Sequence, residues 1–402
     1  MIGNPRFRLT RLLWLAVCAL AIGGMARSAW AEAVPAYGSW FKYAEEVTEA
    51  WEILEGDDDL QVSIRRKNAA ADLSPRRVLV LYPRPSSAYD IAITRILEVF
   101  AEKNMNAEFT VVNFNKDDKL GRAALKLATA GKYELIFSMG SESTAWLFEN
   151  FRGGDIPVVS VCSKDPVQLG QLPSYDSASG TNFAFTSLNM PIEAQMAYVL
   201  ELKPELKNIG VLVDSKNVSA VQTQAEPISE YARQRGIRVL PMAIQDPTRA
   251  SEELAQLVPK AVAAMRKNDP DLSNSVLWIT GSTSVFNEIA TINANSDRVP
   301  VLSAVPEVVK AGDDTAVLSV GISFQSNAHL AAIYGADVLS GRAQVGELRV
   351  GVVSPPDIAI NFRKAREIGL QIPFSFFESA TFVYDYEGQM VRNNGKSVAP
   401  AD

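Results

Sequence analysis

A two-lobed α/β architecture, each lobe a parallel sheet flanked by helices, is the fold that this sequence predicts. Three observations carry it. Short β-branched runs alternate with helical stretches along most of the chain. The alternation occurs twice, in two series whose strands correspond in order. At 402 residues, with 47% apolar and 21% charged side chains, the chain is long enough to bury two cores.

Residues 1–31 stand apart from this pattern. Arg6, Arg8 and Arg11 precede an apolar run over 12–26, and Ala29-Trp30-Ala31 places small residues at the −3 and −1 positions of a cleavage site, as in a secretory signal peptide cleaved after Ala31. A membrane anchor needs about 20 uninterrupted apolar residues, whereas Gly23-Gly24 interrupts this run. Cys18 follows Val17, where lipidation wants a small residue. Removal of 1–31 takes away four arginines and no acidic residue, which moves the charge from −7 to −11. The mature chain then keeps one cysteine, Cys162, in an apolar run, so no intramolecular disulfide can form and a buried, inert thiol is expected.

In the next segment Trp40, Tyr43, Ala44, Val47, Ala50, Trp51 and Leu54 recur at helical spacing. The spacing predicts an amphipathic helix over 40–54 whose aromatic stripe docks on the body, with a partner-binding helix as the alternative. Asp57-Asp58-Asp59 lacks the alternate spacing, glycine and terminal glutamate of a calcium loop and reads as a solvated turn.

From Arg76 onward, strands are expected over 78–82, 109–113, 135–139, 157–161 and 181–184, with helices over 91–103 and 122–130 and a closing helix over 192–202. The second series has strands over 209–213, 238–242, 276–280, 300–303 and 317–322, helices over 226–235, 251–267 and 285–293, and a closing helix over 327–339. Arg77-Val78-Leu79-Val80-Leu81-Tyr82 corresponds to Asn208-Ile209-Gly210-Val211-Leu212-Val213, and Ile156-Pro157-Val158-Val159-Ser160 to Val299-Pro300-Val301-Leu302-Ser303. Two such lobes make a cleft. Ligands of open parallel sheets sit beyond the carboxyl ends of the strands, so the cleft is the expected site.

Much chemistry lacks its raw material. One histidine and two cysteines cannot build a zinc site or a disulfide framework, and a net charge of −7 supplies no basic face for nucleic acid. No GxGxxG or GxxxxGK[ST] fingerprint occurs, so no nucleotide cofactor is expected. Gly140-Ser141-Glu142-Ser143-Thr144 lacks the closing glycine of a nucleophile elbow, and a triad would have to use His329, which falls in the last long helix. Asp165 and Glu307, each after the fourth strand of its series, leave a two-carboxylate hydrolase as the enzymatic alternative. The expectation is a binding protein and not an enzyme.

Residues 76–385 resemble the type I periplasmic solute-binding proteins of ABC importers, and among them the TrpX-like branch. The resemblance lies in Ser86-Ser87-Ala88-Tyr89-Asp90, Met139-Gly140-Ser141, the run 156–167 (IPVVSVCSKDPV), Ile209-Gly210-Val211-Leu212 and the run 360–373 (INFRKAREIGLQIP). It implies Rossmann-like lobes joined by three crossovers, placed near 182–185, 323–324 and 343–347. The implied layout is a signal peptide (1–31), an N-terminal helical extension (32–75), a first lobe (76–184 with 324–345), a second lobe (185–323 with 346–390) and a flexible tail (391–402). It further implies a monomeric periplasmic receptor that closes on a small molecule and delivers it to an inner-membrane permease. A ligand-sensing or scaffolding module docked on a membrane receptor or envelope protein is the alternative.

The ligand-binding residues implied are Ser86, Ser87, Tyr89, Gly140, Ser141, Ser163 and Asp165 from the first lobe. The second lobe contributes Asp214, Ser215, Thr280, Ser282, Thr283 and Glu307, with Phe324 as an apolar wall at a crossover. Two positions depart from the family pattern. Gly281 stands where a TDN-like segment has aspartate, and Lys164 replaces the threonine of TDP. Without that aspartate a buried α-ammonium loses its partner, so tight binding of tryptophan, phenylalanine or branched-chain amino acids is not expected. The exported chain should begin at Glu32, and mass spectrometry of the periplasmic fraction checks it. A retained leader or a lipid on Cys18 would overturn the assignment.

Overall fold

In the computed structural model of the chain, which describes residues 36–56, 58–67 and 74–398, the β-branched runs pair into two main sheets. The expected signal peptide and its cleavage site lie outside those residues. The first sheet holds β1 (Trp51–Glu55), β2 (Gln61–Arg66), β3 (Arg76–Tyr82), β4 (Ala107–Asn113), β5 (Leu135–Met139), β6 (Val158–Val161) and β7 (Phe183–Ala184). Their spatial order is β1-β2-β4-β3-β5-β6-β7, and β4-β3-β5-β6-β7 run parallel. Val78 through Tyr82 are all fully buried, the continuous apolar run that a strand covered on both faces requires.

A short β8 (Thr186–Ser187) leads out of this sheet towards the second. There β9 (Asn208–Asp214), β10 (Arg238–Ile244), β11 (Ser275–Ile279), β12 (Val301–Ser303) and β13 (Leu318–Gly321) pair in parallel as β10-β9-β11-β12-β13. Both sheets thus use the order second, first, third, fourth, fifth, which is the three-dimensional form of the repeat seen in the sequence. After β14 (Gly351–Val352), which pairs with β8, the second sheet is extended by β15 (Asp357–Asn361), antiparallel to β13, and by β16 (Phe382–Tyr384).

The chain crosses between the lobes three times. It passes out through β8, returns between β13 and the helix Phe324–Leu339, and leaves again between β14 and β15. The helix Phe324–Leu339 packs on the first lobe, against the helix Ser87–Glu102 and β6. Its inner face is Ala328, Ala331, Ala332, Gly335 and Ala336, and a Cβ on Gly335 would collide with the Phe137 ring, so small residues set how closely the helix approaches.

Three expectations need correction. Residues 40–54 do not form a helix: 3₁₀ turns at Ala36–Ser39 and Glu45–Glu49 lead into β1, which with β2 makes an antiparallel hairpin on the free edge of β4. Trp40, Val47 and Trp51 of the stripe are buried all the same, while Tyr43 is half-buried and Ala44 exposed. Spacing of three and four residues was met by turns followed by a strand, and the period-two burial of Val62 and Ile64 in β2 was the overlooked signal. Next, the third crossing falls after 343–347: Gly180 donates to the Gly346 carbonyl at 2.9 Å and Gly351 to that of Phe185 at 2.8 Å, so this stretch still belongs to the first lobe. Finally, the expected flexible tail contains β17 (Met390–Asn393) and β18 (Lys396–Ser397), a hairpin that continues the second sheet.

Trp51 ties the added hairpin to the lobe. Its Nε1 donates to the Leu97 carbonyl at 3.0 Å, and its ring stands edge-on to Phe109 at 5.3 Å. Trp51→Ala is expected to cost about 3–5 kcal/mol, read as a shift of the urea midpoint. A change under about 1 kcal/mol would mean that the hairpin is a dispensable cover.

Candidate functional site

Parallel strands end on one side of their sheet, so the loops that follow them converge where the two sheets face each other. The cavity there is lined by Arg84, Ser86 and Tyr89 after β3, Gly140, Ser141 and Glu142 after β5, and Cys162 and Lys164 after β6. Asn217 and Ser219 after β9, Gly281 and Thr283 after β11, and Leu188 and Phe324 from the crossings complete the wall. It is small, with about 40 Å³ of free space, and leads outward to a cavity of about 300 Å³ between Ser141, Glu142, Lys216, Asn217 and Val218.

The first-lobe wall is built on two helix starts. Ser86 precedes the helix Ser87–Glu102, and Gly140 opens the helix Gly140–Phe151. Gly140 has φ +75°, and a Cβ there would collide with the Tyr89 hydroxyl, so both backbone and packing demand glycine. Tyr82 fixes the same turn by donating its hydroxyl to the Tyr89 carbonyl at 3.0 Å. Glu142 is neutralised twice, by Arg84 at 2.9 Å and by Lys116.

Lys164 is the exceptional group. Its residue is 6% exposed and its backbone N–H donates to Ser141 Oγ at 2.9 Å. The ammonium lies against Gly281, where a Cβ would take its place. Among the described residues it has no hydrogen bond and no ion pair, and burial lowers its pKa to about 8. Gly281 in turn donates its N–H to Gln224 Oε1 at 2.7 Å.

Behind the cavity the crossings are held by polar side chains. Asn327, fully buried, accepts from the Cys162 N–H at 2.7 Å and the Thr186 hydroxyl at 3.2 Å, and donates to the Ser187 carbonyl at 3.1 Å. Asp357 accepts from the Ser323 N–H at 2.9 Å. Glu307 accepts from the Phe324 N–H at 2.6 Å, while its Oε2 has no partner among the described residues and burial raises its pKa to about 7. Burial also pushes the Cys162 thiol up, away from reactivity.

Of the residues expected at the site, Ser86, Tyr89, Gly140, Ser141, Thr283 and Phe324 line this cavity. Ser87 faces a groove with Lys42 and Tyr43 instead. Asp165 accepts from the Val167 and Gln168 N–H groups and from Tyr175; Asp214 accepts from the Lys216 N–H and the Ser284 hydroxyl. Ser215 and Thr280 donate to the carbonyls of Ile244 and Leu212, and Ser282 accepts from the Asp214 N–H. Ser163 is buried, and its Oγ has no partner among the described residues. Glu307 holds the crossing helix. Neither it nor Asp165 lines the cavity, and His329 packs against Arg95 at 2.9 Å, away from Ser141. Sequence reasoning overlooked Arg84, Glu142, Leu188, Asn217 and Ser219, and it left Lys164 and Gly281 out of the site although both had stood out as departures.

Among the described residues no group of acidic, His or Cys side chains could hold a metal ion, and no helix is long and apolar enough to cross a membrane.

A family model described as ABC transporter substrate binding protein matches residues 90–383. A curated relative, the tyrosine-binding protein of Clostridioides difficile (strain R20291), is 21% identical over 268 residues, covering 66% of this chain and 72% of that one. Solved structures share the fold. The ABC domain in complex with L-Trp from Streptococcus pneumonia superposes with a TM-score of 0.60 at 20% identity, over 76% of this chain and 99% of that one. The ligand-free, open form of a substrate-binding protein with adhesive properties from Clostridium difficile gives 0.56 at 19%, over 76% and 98%.

Glu307 makes stability depend on pH. Its folded pKa of about 7 lies above its ordinary 4.5, so the folded state keeps a proton that the unfolded state releases. Stability therefore falls as pH rises from about 4.5 to about 7, by on the order of 3 kcal/mol from this group. Asp90, raised to about 6 by burial, acts in the same sense. Glu307→Gln should remove the larger share of the fall, measured by urea unfolding at pH 5 and pH 8; parallel profiles for the two proteins would sink the assignment.

Proposed function

The chain belongs to the ABC transporter substrate-binding protein family, and we propose that it is the receptor of an importer, taking up a small molecule between its lobes and passing it to a membrane permease. The family is one of binding proteins and not of enzymes. The observation that carries the reading is the cavity itself: loops from the carboxyl ends of strands in both sheets wall one space, and three crossings leave a hinge beside it. The reading places the mature chain in the periplasm, which the arginine-flanked apolar run and the Ala-Trp-Ala site support.

The named relatives bind tyrosine or hold L-Trp. Tyr89, Leu188 and Phe324 give the cavity an apolar wall against which an aromatic ligand would pack, once the lobes part to make room for it. The alternative of a scaffold that docks through 40–54 loses its basis, because Trp40 and Trp51 are buried in the first lobe.

Delivery requires closure, and a ligand shifts the lobes only by touching the closed state more than the open one. Thermal-shift screening of mature protein against metabolites finds the ligand, since one at 100 times its dissociation constant adds about 2.7 kcal/mol. Small-angle scattering with that ligand should then show a smaller radius of gyration. An unchanged radius would favour a rigid scaffold.

A further inference from the structure

A buried ammonium without a partner costs several kcal/mol, so a folded protein keeps one only where something else offsets it. Lys164 comes close to that condition: its residue is 6% exposed, its ammonium faces only the cavity, and Glu142, Asp165 and Asp214 each have other partners. Glu142 is held by Arg84 and Lys116, Asp165 by two backbone N–H groups and Tyr175, and Asp214 by the Lys216 N–H and Ser284. Glu307 has an oxygen without a partner among the described residues, but it lies at the crossing helix, holding the Phe324 N–H, and does not line the cavity.

Two helix ends in the wall favour the same kind of ligand. The helices Ser87–Glu102 and Gly140–Phe151, 16 and 12 residues long, both open onto the cavity with their amino ends, where the backbone dipole favours negative charge. Gly281 contributes no side chain, and that vacancy is what admits the ammonium to the cavity wall.

We propose that Lys164 anchors an oxyanion in the cleft, and that the ligand is a small carboxylate or phosphate ester with no ammonium group at the end that meets Lys164. This rests on the receptor reading above and names its ligand class. An ammonium placed beside Lys164 would meet a like charge, and the one carboxylate in the wall, Glu142, is already paired with Arg84 and Lys116, which separates this cavity from one built for an α-amino acid.

The test is calorimetry on refolded, ligand-stripped protein with probes of one size and different charge: 3-(4-hydroxyphenyl)propanoate, phenyl phosphate, tyrosine and tyramine. At pH 7 one or both oxyanions should bind at least tenfold more tightly than tyrosine or tyramine, and which one binds separates carboxylate from phosphate. Lys164→Met should weaken that oxyanion at least tenfold. Gly281→Ala, which keeps the charge but puts a methyl where the ammonium sits, should weaken it too. Affinity should hold between pH 6 and 7.5 and fall above about pH 8 as Lys164 loses its proton. Arg84, Glu142, Asp165, Asp214, Tyr89 and Cys162 are the other ionisable groups around it, and Lys164→Met identifies its share of the fall.

Tyrosine binding more tightly than both oxyanions, oxyanion affinity unchanged by Lys164→Met, or no oxyanion binding at all would each overturn the proposal. Scattering on the same samples keeps the two readings apart. If tyrosine binds and the protein compacts, only the ligand class falls; if no ligand of any charge compacts it, the receptor reading falls as well.

Discussion

The buried amide of Asn327 is the contact on which the arrangement of the two lobes depends. Its oxygen and nitrogen hold the end of β6, at the Cys162 N–H, and both residues of β8, the first crossing. Asn327 itself sits in the first turns of the helix that forms the second crossing, and β8 carries β14 of the third by strand pairing. One side chain thus ties the crossings together with no exposed surface, in a place where an apolar replacement would leave several backbone and hydroxyl groups unsatisfied.

Much of the fold was legible because buried parallel strands must be continuous apolar runs. Val78 to Tyr82 and Ile209 to Val213 have that character, and their duplication in the sequence became a shared strand order. The N-terminal segment was misread because helical spacing says only which residues are buried together. Trp40, Val47 and Trp51 are indeed buried, but two turns and a strand satisfy the same spacing. The hairpin has a purpose that no local pattern expresses: it covers the edge of β4, which would otherwise be left as an unpaired strand.

The site was legible in outline only. Hydroxyls at strand ends were the expected ligand contacts, yet Ser215, Thr280 and Ser282 spend their hydrogen bonds on nearby backbone, as buried polar groups in tightly packed loops generally do. The opposite error concerns charge. Lysine and arginine are mostly exposed, so Lys164 and Arg84 were not sought inside, and only three dimensions reveal that Lys164 and Gly281, 117 positions apart in the numbering, pack against each other. The bare Cα of one lobe leaves the room that the long, charged side chain of the other fills.

The docking of the helix Phe324–Leu339 on the first lobe also constrains the order in which the molecule can be assembled. A chain that emerges amino end first completes the strands of its first sheet by Ala184, but the surface of the helix Ser87–Glu102 that this late helix covers stays bare until some 140 further residues have appeared. During that interval an unfinished lobe carries an apolar face with no cover, the kind of surface on which nascent chains aggregate. The topology that links the lobes by three crossings therefore also makes folding depend on protecting that face until the late helix arrives.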